Sequence, residues 1–196
     1  MAAGGSGMEV KEGRKTDRRT LNTKTLIQES LLSLLAEKEY SQISVAELCR
    51  RAGINRGTFY LHYNNLRQVI DALFDEALSD IHSLLKHISL DAADDDKCVY
   101  GLCRFLRNHR KYQPLFFSAS LHDAAVDRLA ALDQDEYLER IKADKDMPMD
   151  VLLALLYFQI NGCLAICKRN IGISDSAWET IQCTVDRFLK HGFEKL

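Results

Sequence analysis

The fold is decided by the stretch SVAELCRRAGINRGTFYLHYNNLR, which runs from Ser44 to Arg67. Ser44 is a favourable N-cap, and Glu47 three residues later completes a capping-box pattern, so we expect a helix to begin there. Gly53 is suited to the left-handed backbone that ends a helix. Asn55 can then cap a second short helix that carries polar and basic residues. Two short helices joined by a tight glycine turn predict a helix-turn-helix unit.

The residue order in this stretch also resembles a known family. The run Ser-Val-x-x-Leu, followed by Ala-Gly-Ile-x-Arg-Gly-Thr-Phe-Tyr-x-His-Tyr, is similar to the DNA-binding domain of the TetR family of bacterial repressors. The resemblance covers about residues 18–75 and is only a general helical pattern beyond them. The alternative is an unrelated helical domain with an Ala-Gly turn. The Thr-Phe-Tyr-x-His-Tyr run favours the family because it matches independently of the turn.

The resemblance implies that the partner is double-stranded DNA, read as a pseudo-palindrome by two subunits. Arg56 is our candidate for base readout, because a guanidinium can pair bidentately with a guanine edge. Gly57 would let the backbone approach the duplex. The other residues expected at this interface, mainly for phosphate contact and register, are Ser44, Asn55, Thr58, Tyr60, His62 and Arg67. Many relatives have a phosphate-binding lysine where this chain has Leu66, and Arg67 is the nearest cation.

Other residues of this region have competing interpretations. Tyr60 could instead cover the small core with its hydroxyl in water, and His62 could simply be exposed. Phe59 and Leu61 are expected in the core or at its rim. Residues 1–17 are predicted to be a flexible basic arm, with MAAGGSG as a possible tag remnant. The basic segment KEGRKTDRR is either a phosphate-binding element or a solvated tail.

Composition predicts a globular, all-α protein. The chain has 196 residues, is 46% hydrophobic and contains only two prolines, so long helices are rarely interrupted. Its net charge is −2, yet residues 1–67 hold 11 lysines and arginines against 7 acidic residues. A basic N-terminal part on an acidic remainder fits a reader of phosphates. We expect a cytoplasmic protein with no membrane partner, because no uninterrupted apolar run is long enough to span a bilayer and the N-terminal segment has no signal-peptide pattern.

Three segments organise the chain: the arm (1–17), a three-helix helix-turn-helix DNA-binding domain (18–64), and a helical effector-binding and dimerisation domain (65–196). About nine helices are expected in all. The first runs from about Arg18 to Lys38, with Leu26 or Ile27 opening its core stripe. A long amphipathic helix begins near Asn65, and the resemblance implies that it transmits ligand-driven movement. Residues 91–96 form an acidic run that we interpret as an exposed loop.

Family resemblance implies a ligand pocket enclosed by the helices between about residues 65 and 170. The candidate lining residues are Phe105, His109, Tyr112, Phe116, Phe117, His122, Tyr157 and Gln159. Aromatic residues at helical spacing are more often core than ligand contacts, so a core role is the alternative. The ligand is an unknown small molecule. Some members of the subgroup that includes dihydroxyacetone-kinase operon regulators bind a coactivator protein instead, and this chain resembles that subgroup near Tyr157 and Gly162.

Two apolar helices at the end of the chain need a large partner surface. In the TetR family the corresponding helices form a four-helix bundle with a second subunit, which implies a homodimer here. The candidate dimer contacts are Phe158, Gly162, Ile166, Trp178, Ile181, Val185 and Phe188. The alternative is that the two helices bury each other within one chain.

The cysteines and the absence of catalytic motifs bear on how the protein is controlled and on whether it is an enzyme. Six cysteines lie mostly in apolar helical patterns, which predicts buried, reduced thiols. Cys163 and Cys167 are four residues apart, and control by cysteine redox chemistry is an alternative to ligand control. The sequence contains no Walker loop, nucleophile elbow, HExxH or Rossmann glycine pattern. We therefore expect a repressor released by a small ligand, with no enzyme activity, cofactor or metal.

Overall fold

The computed structural model describes residues 9–89, 101–142 and 147–194, and helices dominate this part of the chain. Their bounds are α1 (Glu9–Glu37), α2 (Val45–Arg51), α3 (Arg56–Tyr60), α4 (Leu66–Ser89), α5 (Gly101–Asn108), α6 (Gln113–Phe117), α7 (His122–Lys142), α8 (Met149–Asn170) and α9 (Asp175–Glu194). Single 3₁₀ turns lie at Tyr40–Gln42, Arg110–Tyr112 and Ala119–Leu121. No strand occurs in these ranges, and the predicted all-α fold of about nine helices is confirmed.

The chain divides into two compact units, Met1–Leu73 and Phe74–Leu196. The sequence had suggested a boundary at residue 64, before α4. The division instead falls inside α4, because the first two turns of that helix bury Val69 and Ile70 in the first unit. These side chains complete the core that α1, α2 and α3 form, and each contributes about 1.5–3 kcal/mol when fully buried.

The core of the first unit is built on one face of α1. Ile27, Leu31 and Leu34 are fully buried, whereas Leu26 is 48% exposed. Of the two residues considered, Ile27 is therefore the one on the buried face of α1. α1 packs against α2, and α2 packs against α3. The core of this unit therefore fixes how the two helices of the helix-turn-helix are presented.

The segment predicted to be a flexible basic arm is helical from Glu9 onward, because α1 begins there and not at Arg18. The segment KEGRKTDRR consists largely of Glu, Lys and Arg, which lose little rotamer freedom in a helix, and it contains no proline. Residues 1–8 lie outside the described part of the chain, as does the acidic run at 91–96.

The second unit is organised around α8, which packs against α5, α6 and α7. Ala130 from α7 joins Leu152 and Leu156 from α8 in one buried cluster. On the α5 side, the rings of Phe105 and Tyr112 stack with centroids 5.7 Å apart. One face of α8 is therefore committed to its own chain.

α8 also corrects one expectation from the sequence. Among the described residues it is the one helix whose length and composition would allow it to cross a membrane. The same test is passed by core helices, and α8 buries six side chains, including the polar Gln159, against its own unit. The high apolar content of α8 thus serves two faces, one packed within the chain and one exposed.

Candidate nucleic-acid interface

The start of α2 is fixed by the predicted N-cap. The Oγ of Ser44 accepts a hydrogen bond from the Glu47 backbone N–H at 3.2 Å. The Glu47 carboxylate lies 2.6 Å from the Lys38 ammonium, which lowers the pKa of Glu47, and the Ser44 backbone N–H adds to this effect. The predicted capping box is therefore present, and Lys38 additionally ties the start of α2 to the end of α1.

A tight turn separates α2 from α3. Gly53 has a φ of 64°, the left-handed conformation expected of it, and is the one described residue with a positive φ. Its N–H donates to Arg50 O at 3.3 Å, and the Ile54 N–H donates to Cys49 O at 3.0 Å. These bonds satisfy carbonyls at the end of α2 and confirm that the glycine ends this helix.

Asn55 sets the first turn of α3. Its Oδ1 accepts from the Thr58 backbone N–H at 2.7 Å and from the Thr58 hydroxyl at 3.0 Å. In this rotamer the Thr58 hydroxyl has already donated its proton, so it can only accept a further bond. Since the backbone N–H of Thr58 is also bonded to Asn55, a hydrogen bond from Thr58 to a phosphate oxygen requires a different rotamer of its side chain.

The two faces of α3 differ sharply in exposure. Phe59 is fully buried, as predicted, whereas Arg56 and Tyr60 are exposed. The Phe59 and Tyr60 rings meet edge to face with centroids 5.3 Å apart. Leu61 is 81% exposed, so its predicted place in the core is wrong, because the chain leaves α3 at this residue with the side chain outward. The core alternative for Tyr60 is not favoured.

Gly57 has a local role that the sequence analysis missed. A Cβ at this position would lie 3.3 Å from Asn55 Oδ1, the atom that caps α3. Glycine therefore leaves room for the cap. The signal was available in the sequence, since a glycine two residues after an Asn N-cap lies under its side chain.

Several cations near the helix-turn-helix are held by carboxylates. Arg51 binds both oxygens of Glu37, at 2.7 and 2.6 Å, and Arg67 Nε lies 3.3 Å from Asp71 Oδ1. Arg56 makes no ion pair with any residue in the described part of the chain. Among the residues proposed for DNA contact, Arg56 is therefore a cation without an ion pair in the described part of the chain, whereas Arg67 is already paired with Asp71.

Comparisons with known proteins agree with this geometry. Residues 27–73 match the family described as bacterial regulatory proteins, tetR family, and the match ends where the first unit ends. An uncharacterized HTH-type transcriptional regulator of Bacillus subtilis (strain 168), YxbF, is 27% identical over 89 residues, which are 45% of this chain and 23% of YxbF. The chain therefore spans less than a quarter of that relative.

The match to the tetR family lies within the first unit and includes the whole helix-turn-helix. Among solved structures, the dihydroxyacetone kinase operon activator DhaS matches with a TM-score of 0.52 and 19% identity. The match covers 89% of this chain and 97% of DhaS, so the likeness extends through both units at the level of the fold.

Replacing Asn55 tests its role as the N-cap of α3. We expect Asn55→Ala to lower the free energy of unfolding of the first unit by about 1 kcal/mol, because α3 loses its N-cap. Urea unfolding followed by circular dichroism measures this, and Asn64→Ala is the control at an exposed asparagine outside α3. Equal stability of the two variants would contradict a capping role for Asn55.

Most of the predicted ligand-lining residues lie in the core of the second unit. Phe105, Tyr112 and Phe116 are buried, and His109 stacks on Phe105 with ring centroids 4.2 Å apart. A role in the core describes Phe105, His109 and Tyr112 better than a role in lining a pocket. Gln159 is also buried, and the Tyr157 hydroxyl lies 3.3 Å from Asp127 Oδ1.

One open groove of about 680 Å³ nevertheless lies between α6 and α8. Its lining residues are Phe116, Phe117, Ala119, His122, Leu164, Ala165, Lys168 and Arg169. Three of the predicted residues, Phe116, Phe117 and His122, are brought together here. The cations Lys168 and Arg169 were missed, because their place near α6 depends on packing that a helical pattern does not encode.

Tyr112 is held by carboxylates and is not free to bind a ligand. Its hydroxyl donates to Glu76 Oε1 at 2.6 Å, and Lys111 Nζ lies 2.9 Å from the same oxygen. Burial acts to raise the pKa of Glu76, but these two hydrogen bonds outweigh it and the pKa is lowered. Burial and the neighbouring Glu76 raise the pKa of Tyr112, so its hydroxyl stays protonated.

The predicted dimer contacts differ in how exposed their side chains are. Phe158 on α8 and Phe188 on α9 are 63% and 72% exposed, and Gly162, Ile166, Ile181 and Val185 are half-buried. Trp178 is only 6% exposed, because it packs within its own unit with the Arg107 guanidinium 5.0 Å from its ring centroid. We therefore remove Trp178 from the candidate dimer surface.

Proposed function

We propose that this chain is a regulator of the TetR family, a cytoplasmic homodimeric repressor that binds a pseudo-palindromic operator through α3 and is released by a small ligand. One observation carries the DNA-binding part. α3 uses Phe59 alone as its buried anchor and leaves Arg56 and Tyr60 exposed on a polar surface. A helix that served only the core would not need an uncompensated arginine in its first turn.

The charges around the helix-turn-helix support the same proposal. Lys38 and Arg51 are paired with Glu47 and Glu37, so these cations stabilise the unit more than they attract phosphate. Arg50 and Arg56 are exposed. In a dimer, the two copies of these arginines provide local positive charge that is attracted to the phosphates of a duplex.

Binding to DNA tests this function directly. Purified full-length protein is selected against random duplexes, and the enriched sites are compared with DNA upstream of its own gene. We expect enriched sites with two-fold symmetry and an affinity that falls steeply with salt, since each phosphate contact releases counterions. Enrichment of no motif, or of an asymmetric one, contradicts the proposal.

Dimerisation through α8 and α9 is supported by what these helices leave uncovered. Phe158 and Phe188 are large apolar side chains on the surface of the chain, and Trp178 is the one buried residue of α9 among those whose exposure is described. A Cβ at Gly162 would meet no atom within 4 Å. The single chain gives no steric reason for a glycine in mid-helix, whereas a close helix from a second copy would.

Charge substitution on this surface tests dimerisation. The double change Phe158→Glu and Phe188→Glu should weaken self-association at least about tenfold, because each copy then places two carboxylates, four per dimer, in an apolar interface. Analytical ultracentrifugation across concentration measures the effect. Arg104→Glu, an exposed change on α5, is the control and should leave the dimer intact. A monomeric wild-type chain would overturn this part of the proposal.

The small-ligand part is supported by the groove between α6 and α8, whose apolar walls end at Lys168 and Arg169. The direction of regulation has one competing candidate, since the structurally similar DhaS is an operon activator. Transcription in vitro from a template with the selected site separates the two. Repression lowers transcript yield when the protein is added, and activation raises it.

A further inference from the structure

The core of the second unit gathers three thiols that are far apart in the sequence. Cys103 on α5 and Cys163 and Cys167 on α8 are all buried. Cys103 Sγ donates to Cys163 O at 3.6 Å, and Cys167 Sγ lies 3.9 Å from Cys103 O. The Cys103 thiol is also within hydrogen-bonding reach of both other thiols. The sequence revealed only the pair on α8 and missed Cys103.

The electrostatic setting separates the roles of these thiols. The hydrogen bond with Cys103 lowers the pKa of Cys167, burial opposes this, and the positive charge of Arg107 lowers it further. The neighbouring thiols and burial raise the pKa of Cys103. Of these two thiols, Cys167 is therefore the one that loses its proton more readily and can attack an oxidant, while Cys103 keeps its proton as the second partner.

We propose that Cys103 and Cys167 are a peroxide modification site, at which the two thiols form a reversible disulfide joining α5 to α8. Both side chains are almost completely buried, so the oxidant must be small and neutral, such as hydrogen peroxide. Within the described residues no group of three or more Cys, His, Asp or Glu is arranged to hold a metal ion, so a two-thiol oxidation site is favoured over a metal site.

The chemistry balances with one peroxide. The Cys167 thiolate attacks one peroxide oxygen, the O–O bond breaks, and hydroxide leaves and takes up the thiol's proton as water. Cys103 then attacks the sulfenic sulfur of Cys167, the S–S bond forms and the S–O bond breaks. The second hydroxide leaves with the Cys103 proton as another water. Two thiols lose two electrons in total, and one peroxide is reduced to two waters.

Arg107 connects this site to the C-terminal helices. It lies one turn after Cys103 on α5 and donates to the carbonyls of Asn170 and Ile173 at 3.1 and 3.2 Å. It also pairs with Asp175 at 2.8 Å, at the start of α9. A disulfide would join α5 to α8 one turn from this arginine, so oxidation acts beside the contacts that join α8 and α9. Any effect on operator binding rests on the proposed function.

Peptide mapping of the full-length protein tests the site. Trypsin leaves Cys98 with Cys103 and Cys163 with Cys167, whereas chymotrypsin cuts after Tyr100 and Leu164 and separates all four. After peroxide, alkylation and chymotrypsin, we expect one peptide linking Cys103 to Cys167, two hydrogens lighter than its parts and abolished by dithiothreitol. The link should be lost in Cys103→Ser and retained in Cys163→Ala.

The exposed Cys183 serves as the internal indicator that peroxide has acted. Oxidised Cys183 with fully alkylatable Cys103 and Cys167 would overturn the proposal, and so would a link from Cys103 to Cys163. A separate arm measures binding to the selected operator before and after peroxide, with Cys103→Ser as the comparator. If the linked peptide forms but the reduced protein binds no symmetric DNA, the disulfide stands and the proposed function fails.

Discussion

Arg56→Ala is expected to weaken operator binding by about 2–6 kcal/mol per dimer, which is at least a thirtyfold loss, because each lost guanine contact costs about 1–3 kcal/mol. Arg56 is exposed in the first turn of α3 and makes no ion pair among the described residues, so its removal leaves no buried partner unsatisfied. The fold should therefore survive and the loss should appear in binding alone.

Electrophoretic mobility shifts on the selected operator and on a scrambled duplex measure this effect. Arg56→Lys keeps the charge but lacks the planar fork, so it should retain non-specific affinity while losing preference for the operator. Arg51→Lys is the matched comparison on α2, since Arg51 is occupied by Glu37. If Arg56→Ala and wild type bind the operator equally well, base readout by Arg56 is wrong.

The second large effect concerns stability. Phe59→Ala should lower the free energy of unfolding of the first unit by about 3–5 kcal/mol, because a fully buried ring is removed from a small core. The free energy of unfolding of a unit of this size is only a few times larger at most, so we expect the helical signal of the first unit and DNA binding to be lost together.

Its neighbour provides the control for this experiment. Tyr60→Ala removes a ring that is 53% exposed, so we expect a change in unfolding free energy of about 1 kcal/mol or less. Operator binding should nevertheless fall. Denaturant titration of the full chain, followed by circular dichroism and by mobility shift, separates the two outcomes. Equal destabilisation by both changes would contradict the assignment of buried and exposed faces to α3.

The local signals in the sequence were sufficient to predict the helix-turn-helix. Ser44 and Asn55 cap their helices as predicted, and Gly53 takes the left-handed turn, because these features depend on residues within one or two turns. The roles of Arg56, Tyr60 and the other interface residues on DNA stay predictions. They concern a partner whose contacts depend on more than local structure.

The errors have a common physical origin in packing between distant segments. Trp178 was assigned to a dimer surface because it lies on one of two apolar helices that resemble the dimer helices of the TetR family, but Arg107 and the second unit's own core cover it. Cys103 was not linked to Cys167, since 64 residues separate them and only the packing of α5 on α8 brings them together.

The short length of α3 has a consequence for how such a regulator can diverge. Of its five residues, Phe59 alone is buried, and Gly57 is restricted by the cap. Thr58 is half-buried and bonded to the cap, so the exposed Arg56 and Tyr60 are the positions that can be exchanged with little effect on stability. A few mutations could therefore redirect the protein to a different set of promoters while its thermal tolerance stays the same. Duplicated copies of this gene would be free to acquire separate regulons without first acquiring a more stable scaffold.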